Sequence, residues 1–314
     1  MKTRILTLLL LLSSLSSLSA LAQSIDQTLS WPEPRPILIE VPRGELTLVG
    51  RDSDAVQIQG QLDKEASEFL FVEQADQLLI KVILPQNWQN QDAADHSKLT
   101  IRLPSRAEVR LKSVSTDLTA SALTRLESTT VSGDLSLNDS QGDFRLTSVS
   151  GDIELTQVGS QIWAESVSGD IEVQDAQGKL KLKSVSGDMT LARVSGMFEL
   201  ESVSGEITAE IDALEALKGR SVSGDLTLEW QTAQPEFVLS ADSVSGDIQL
   251  STAPTPPYRV MANTGPGGKI TNRWSQEQPI VSKYGRNQSL QLNQAQPDRI
   301  IKLNTVSGTL GLYK

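Results

Sequence analysis

The chain has 314 residues, no cysteine, one histidine and 39 acidic against 28 basic residues, for a net charge of −11 at pH 7. That balance repels nucleic acid and anionic lipid. The missing cysteine excludes disulfides, thiol chemistry and lipid attachment through a Cys, and one histidine cannot make a His metal cluster.

Residues 1–22 read as a signal peptide. Lys2 and Arg4 precede the apolar run Ile5 to Leu12, and Ala20-Leu21-Ala22 places small residues where a signal peptidase cuts. The run is too short to span a bilayer securely, and no later transmembrane segment is expected. Cleavage removes Lys2 and Arg4 and leaves 26 basic against 39 acidic residues, a net −13. Residues 23–35 are expected to be a loose leader. Residues 36–112 hold irregular strands (PILIEV, ELTLV, AVQIQG, FLFVE, QLLIKVIL, KLTIRLP) around an Asn/Gln/Asp-rich loop at 86–97. They are read as an N-terminal β cap, because a stack of strands must cover its exposed edge. His96 falls in the polar loop without a serine partner and is expected to be solvated.

Residues 113–253 are built on a repeat. SVSGD occurs at 148, 166, 184, 221 and 243, with variants at 113, 130, 202 and 305. Val131, Val149, Val167, Val185 and Val203 are each 18 residues apart, and Val222 and Val244 follow after 19 and 22. Weaker echoes halfway (Gln141-Gly142, Val158-Gly159, Gln177-Gly178, Ser195-Gly196) divide the unit into two nine-residue halves. Apolar residues alternate within each half, which is a strand period with one face buried. Three ladders of like residues emerge: the valines; Leu135, Ile153, Ile171, Met189, Ile207, Leu226, Ile248; and Leu137, Leu155, Val173, Leu191, Ala209, Leu228, Leu250. A hairpin meander needs alternation but not identity, whereas stacked coils set each residue over its own copy. The fold class is therefore all-β, a parallel β-solenoid (β-helix) of about 18-residue coils. Nine is odd, so each half needs a corner that resets the parity. Gly between Ser and Asp suits it through positive φ and side-chain bonds to the nearby backbone. Residues 209–219 are the exception, expected as a helical turn replacing one half-coil.

Residues 254–314 read as a closing β region, with 36–314 forming one continuous domain. TAPTPPYRV interrupts the repeat, and Trp230, Tyr258 and Trp274 are expected to pack this end. Gly265-Pro266-Gly267-Gly268 lacks the Lys-Ser/Thr and the strand-to-helix context of a phosphate loop and reads as a turn.

Two candidate sites arise. Asp134, Asp152, Asp170, Asp188, Asp225 and Asp247, joined by Glu206, form a carboxylate ladder that a calcium ion could bridge. The competing reading is solvated aspartates bonding corner amides, because the opposite half carries Asp143, Ser160, Lys179 and Met197 where a calcium roll repeats its Asp. Trp163 stands at an outward position and is a possible partner contact, able to stack on a sugar or anchor a protein; the plainer reading is cover for a loop. The serines have no accompanying base, and no carboxylate pair stands out from the ladder, so no catalytic residue and no cofactor is expected.

The V-S-G-D-[ILM]-x-[LVA] coils, the lead-in PRGELTLVGRD and the closing IKLNTVSGTLGLYK resemble the bacterial putative-adhesin family, β-strand repeat domains of unknown function in envelope proteins. The resemblance covers most of 36–314. It implies a non-enzymatic envelope protein whose solenoid faces contact a protein or glycan, and it supplies no catalytic residues. No lipid anchor, barrel translocator or wall-sorting signal is read, so the expected location is the periplasm, with the cell surface or secretion as alternatives. An accessory of an envelope-stress sensor is the second reading, and a glycan-active enzyme is a remote third.

Overall fold

The structure, a computed structural model, describes residues 23–32, 35–85, 96–252, 258–293 and 298–314. Residues 1–22, expected to be a signal peptide, and most of the loop at 86–97 lie outside them. The chain is all-β: a parallel solenoid in which each coil lays one strand segment on each of two faces. Leu135–Thr147, Ile153–Ser166, Met189–Glu201 and Ile207–Arg220 each run through both halves of a coil. Ile153 pairs with Leu135 below and Ile171 above, an 18-residue step on each side.

The halves meet at a residue held at positive φ: Asp139 (46°), Gln157 (54°), Asp175 (53°) and Arg193 (54°) in successive coils. Three residues on, Gly178 and Gly196 stand at +120° and +128°, but the equivalent Ser160 is forced to +86°. Such a φ is strained for a side-chain-bearing residue, at roughly 1–3 kcal/mol. Ser160→Gly is therefore expected to raise stability by about 1 kcal/mol after the flexibility cost of glycine. A thermal melt should show a gain of a few degrees; a lower midpoint would contradict the strain.

The two aliphatic ladders from Leu135 and Leu137 to Ile248 and Leu250 are buried, at 0–1% exposure. The opposite face adds Leu126, Phe144, Ile162, Leu180, Phe198, Leu217 and Leu239, so one core runs the length of the stack. The valine ladder behaves otherwise. Val114, Val131, Val149, Val167, Val185, Val203, Val222, Val244 and Val306 stack rung on rung but are 42–53% exposed. Alternation within a half predicts Val149 on the buried face with Ile153 and Leu155; the valines are instead outside, because the parity flips inside the pentad. Counted forward from Ile162 and Ala164, the inward position is Ser166, and Val167 points out. The buried serine closes the corner: the Gly169 amide donates to Ser166 Oγ at 2.9 Å, and Gly151 to Ser148 at 2.9 Å.

The corner glycines are needed for a different reason from the one expected. None of Gly133, Gly151, Gly169, Gly187, Gly205, Gly224 and Gly246 has a φ in the left-handed region. They lie directly over one another, and a Cβ on Gly169 would sit 2.1 Å from the Gly151 carbonyl oxygen. Close approach is what selects glycine here.

Residues 209–219, expected as a helical turn, belong to the strand Ile207–Arg220. The extra residue of the 19-residue coil is absorbed as a bulge: Gly196 pairs with Leu214 but Met197 with Ala216, which skips Glu215. The three further residues of the 22-residue coil fall between Ala233 and Val238 in the same way. Burial of Ile211, Leu214 and Leu217 on one side satisfies strand pairing and leaves a helix no advantage.

Both ends are closed by a chain segment tucked one rung inside the outermost coil. Ile37–Arg51 lies between the later segments Leu78–Ile83 with Ser97–Pro104 on one side and Val109–Ser121 on the other. Arg299–Thr305 and Thr309–Tyr313 likewise slip beneath Arg259–Thr264 and Lys269–Asn272. Residues 23–35 are not all loose leader: Ser24–Ser30 pairs antiparallel with Ala55–Gln61, which covers the first edge. At the far end Trp230, Tyr258 and Trp274 are buried against each other, with edge-on contacts of 6.0 Å from Trp230 to each of the other two. His96 is half-buried rather than solvated.

Candidate binding grooves

The aspartate ladder is wired into the backbone. Each carboxylate accepts the amide of the next coil's corner: Asp134 Oδ1 from Asp152 N at 2.9 Å, Asp152 from Asp170 at 2.8 Å, Asp170 from Asp188 at 2.8 Å, and Asp188 from Glu206 at 2.8 Å. Asp225 bonds Asp247 N at 2.7 Å, and Asp247 bonds Thr309 N at 2.6 Å. One oxygen of each is thus engaged in holding the stack, as the corner-amide reading requires. Among the described residues, no three His, Cys, Asp or Glu side chains come together as a metal site.

Trp163 lies in an outward column on the face opposite the aspartates. Rung pairing sets Arg145 directly before it and Lys181 directly after it. The Arg145 guanidinium stacks 3.8 Å from the indole centroid, and Lys181 Nζ lies 5.3 Å away. Lys181 is also paired with Glu199 at 3.0 Å, and Glu199, further bonded by Lys218, is held below the usual carboxylate range by those two hydrogen bonds. Arg145, although exposed, has no hydrogen bond or ion pair among the described residues. The Trp163 Nε1 is buried and also has no partner among them.

Around this stack lies an open groove of about 660 Å³, lined by Arg125, Asp143, Arg145, Gln161, Trp163 and Lys179 among others. Arg125 is offset by Glu108 at 3.6 Å and Asp143 at 3.5 Å. The uncommitted cations are Arg145 and Lys179. A flat guanidinium braced on a ring keeps its edge donors for a planar acid, so the groove is suited to a carboxylate. Sequence reading found Trp163 but not Arg145. The 18-residue offset between them was the available signal.

A second groove, about 610 Å³, follows the exposed valines. Val167, Val185, Val203, Val222 and Val244 form one wall, the buried serines of the pentad form the floor, and Glu165, Lys183, Glu201, Arg220 and Asp242 form the other wall. The alternation of Val149 with Ile153 and Leu155 hides this groove, because it counts the valines as core.

The fold is a β-solenoid with two open grooves along its sides. The model of the Toastrack DUF4097 family matches residues 36–260, and the chain belongs to that family. Among solved structures it is similar to a putative cell adhesion protein from Clostridium sporogenes, at 8% identity over 93% of this chain and 99% of that one, with a TM-score of 0.21. It is also similar to a putative adhesin from Bacteroides fragilis, at 10% identity over 94% and 98% of the two chains, with a TM-score of 0.37. Neither likeness is close enough to carry an argument. No curated protein matches the chain. Among the described residues no helix is long and apolar enough to cross a membrane.

Proposed function

We propose that this protein is a non-enzymatic, adhesin-like binding module of the bacterial envelope, exported through its signal peptide and working in the periplasm. Its ligand is a carboxylate-bearing glycan strand laid along the solenoid face at Trp163. The observation that carries this reading is the uncommitted Arg145 guanidinium stacked on Trp163 within an open groove. Of the groove's charges, Glu108 and Asp143 are answered by Arg125, Glu199 by Lys181 and Glu127 by Arg110, which leaves Arg145 and Lys179 as the cations an anionic ligand would meet. The polar lining of Gln161 and Lys179 supplies further donors to hydroxyl and carboxyl oxygens.

Binding of the mature chain to a carboxylated polysaccharide and to a neutral glucan, measured by thermophoresis, tests it. The acidic polymer is expected to bind and the neutral one not. Arg145→Ala should weaken binding about tenfold or more, the loss of one charge-assisted contact. Trp163→Ala should weaken it nearly as much by releasing the guanidinium. Absence of binding to acidic glycan, or release of sugar fragments from it, overturns the reading; capture of an envelope protein at this groove replaces the glycan with a protein ligand.

A further inference from the structure

We infer that the valine ridge is a self-association surface on which two copies of this chain pack side by side with their rods antiparallel. Nine exposed valines stand on consecutive rungs from Val114 to Val306. At ~4.8 Å per rung the ridge is ~40 Å long. Isolated exposed apolar side chains are ordinary, but a continuous stripe of this length marks a contact surface.

The occupant is defined by what the ridge lacks and what it repeats. Its valine carbonyls are already used between rungs: Val131 O accepts from Ser150, Val149 O from Ser168 and Val167 O from Ser186, each at 2.9 Å. An added peptide strand would find no ladder to join there. The recognition left is side-chain packing at the rung spacing, and a second copy carries the same spacing.

The charged wall then sets the direction. Along the rod it reads Glu165, Lys183, Glu201, Arg220, Asp242, alternating in sign. A parallel copy facing the ridge is turned by a half-turn about the rod, which carries its wall to the far side of the valines, so the two walls never meet. An antiparallel copy offset by an odd number of rungs sets Lys183 against Glu201 and Glu165 against Arg220, or Glu201 against Arg220 and Lys183 against Asp242. Every such pair is opposite in sign, which favours this partner over the parallel one. None of the aspartate-ladder carboxylates lines the groove.

Sedimentation equilibrium of the mature chain at tens of micromolar should give the mass of two chains. Val185→Lys with Val203→Lys should give a folded monomer with the wild type's strand circular-dichroism spectrum, melting as the wild type does when diluted below its dimer range, since both side chains are exposed. Lys183→Glu with Arg220→Glu turns the wall wholly acidic and should also give a monomer. Glu165→Lys with Glu201→Lys and Asp242→Lys makes a basic wall. Mixing the two charge variants should restore a dimer with at least tenfold tighter association than either alone. A wild-type monomer across this range overturns the proposal, as does a dimer that survives the valine substitutions. Failure of the mixed charge variants to pair overturns the antiparallel arrangement.

Discussion

Replacing Gly169 with valine is expected to lower stability by ~3 kcal/mol or more and to open the stack at one rung. A Cβ at this position would meet the Gly151 carbonyl oxygen at 2.1 Å, its carbon at 2.5 Å and the Asp152 nitrogen at 3.0 Å. These are backbone atoms, so no side-chain rotation makes room. The rungs must separate, and separation breaks the bonds that cross here, from Ser168 to Val149 O at 2.9 Å and from Asp170 to Asp152 Oδ1 at 2.8 Å. Overpacking of a well-filled site costs about 1–3 kcal/mol before such bonds are counted. The thermal midpoint should fall by about 10 °C, and hydrogen exchange should quicken in the coils on either side first, because each coil is held only by its neighbours. Ser168→Ala, on the exposed side of the same corner, should change stability by no more than about 0.5 kcal/mol. A valine variant that melts with the wild type would refute the stacking of the glycines.

The same corner shows how far the sequence can be read. The 18-residue period fixes stacking, and Ile153 over Leu135 follows from it directly. Which side of the chain faces inward does not follow, because a pentad that bends the backbone can be counted from either neighbouring strand. From Ile153 backwards Val149 is inside; from Ile162 forwards Ser166 is inside and Val167 outside, and the buried hydroxyl that closes the turn decides for the second. The reading at 209–219 failed for a related reason. AEIDALEALKG has good helix formers, but the neighbouring coils offer a strand edge on both sides, and pairing outweighs a weak local preference. Trp163 was legible as an outlier in its column. Its partner Arg145 was not, because an arginine among outward polar residues attracts no notice until the rungs place it over the ring.

Breaking the ion pair beneath the first coil is expected to be as damaging as the glycine substitution, and it differs in depending on pH. Arg43 and Asp63 are 1% and 0% exposed, with Arg43 Nε donating to Asp63 Oδ2 at 2.6 Å and Nη2 to Oδ1 at 3.1 Å. Nη2 also reaches Glu65 at 3.1 Å, and Asp63 Oδ1 accepts the Glu65 amide at 2.9 Å. Burial alone would push the Asp63 carboxyl up; the hydrogen bonds from Arg43 and the Glu65 amide, with the charges of Arg43 and His96, outweigh it and hold it below its ordinary value. Removing one partner strands the other charge away from water, at about 3–5 kcal/mol. Arg43→Met and Asp63→Asn should each lower the unfolding midpoint by several degrees. Arg43→Met combined with Asp63→Leu should cost less than either single change, since no charge is then left buried. The depressed carboxyl contributes stability that is fully present above its unfolded value of ~3.9 and is lost as pH falls through the lower folded value. The wild type should therefore lose N-terminal strand pairing below about pH 4, read as faster exchange in Ile37–Arg51, whereas Asp63→Asn should lose this part of its acid sensitivity. Equal acid sensitivity in the two proteins would show that the pair does not hold the cap.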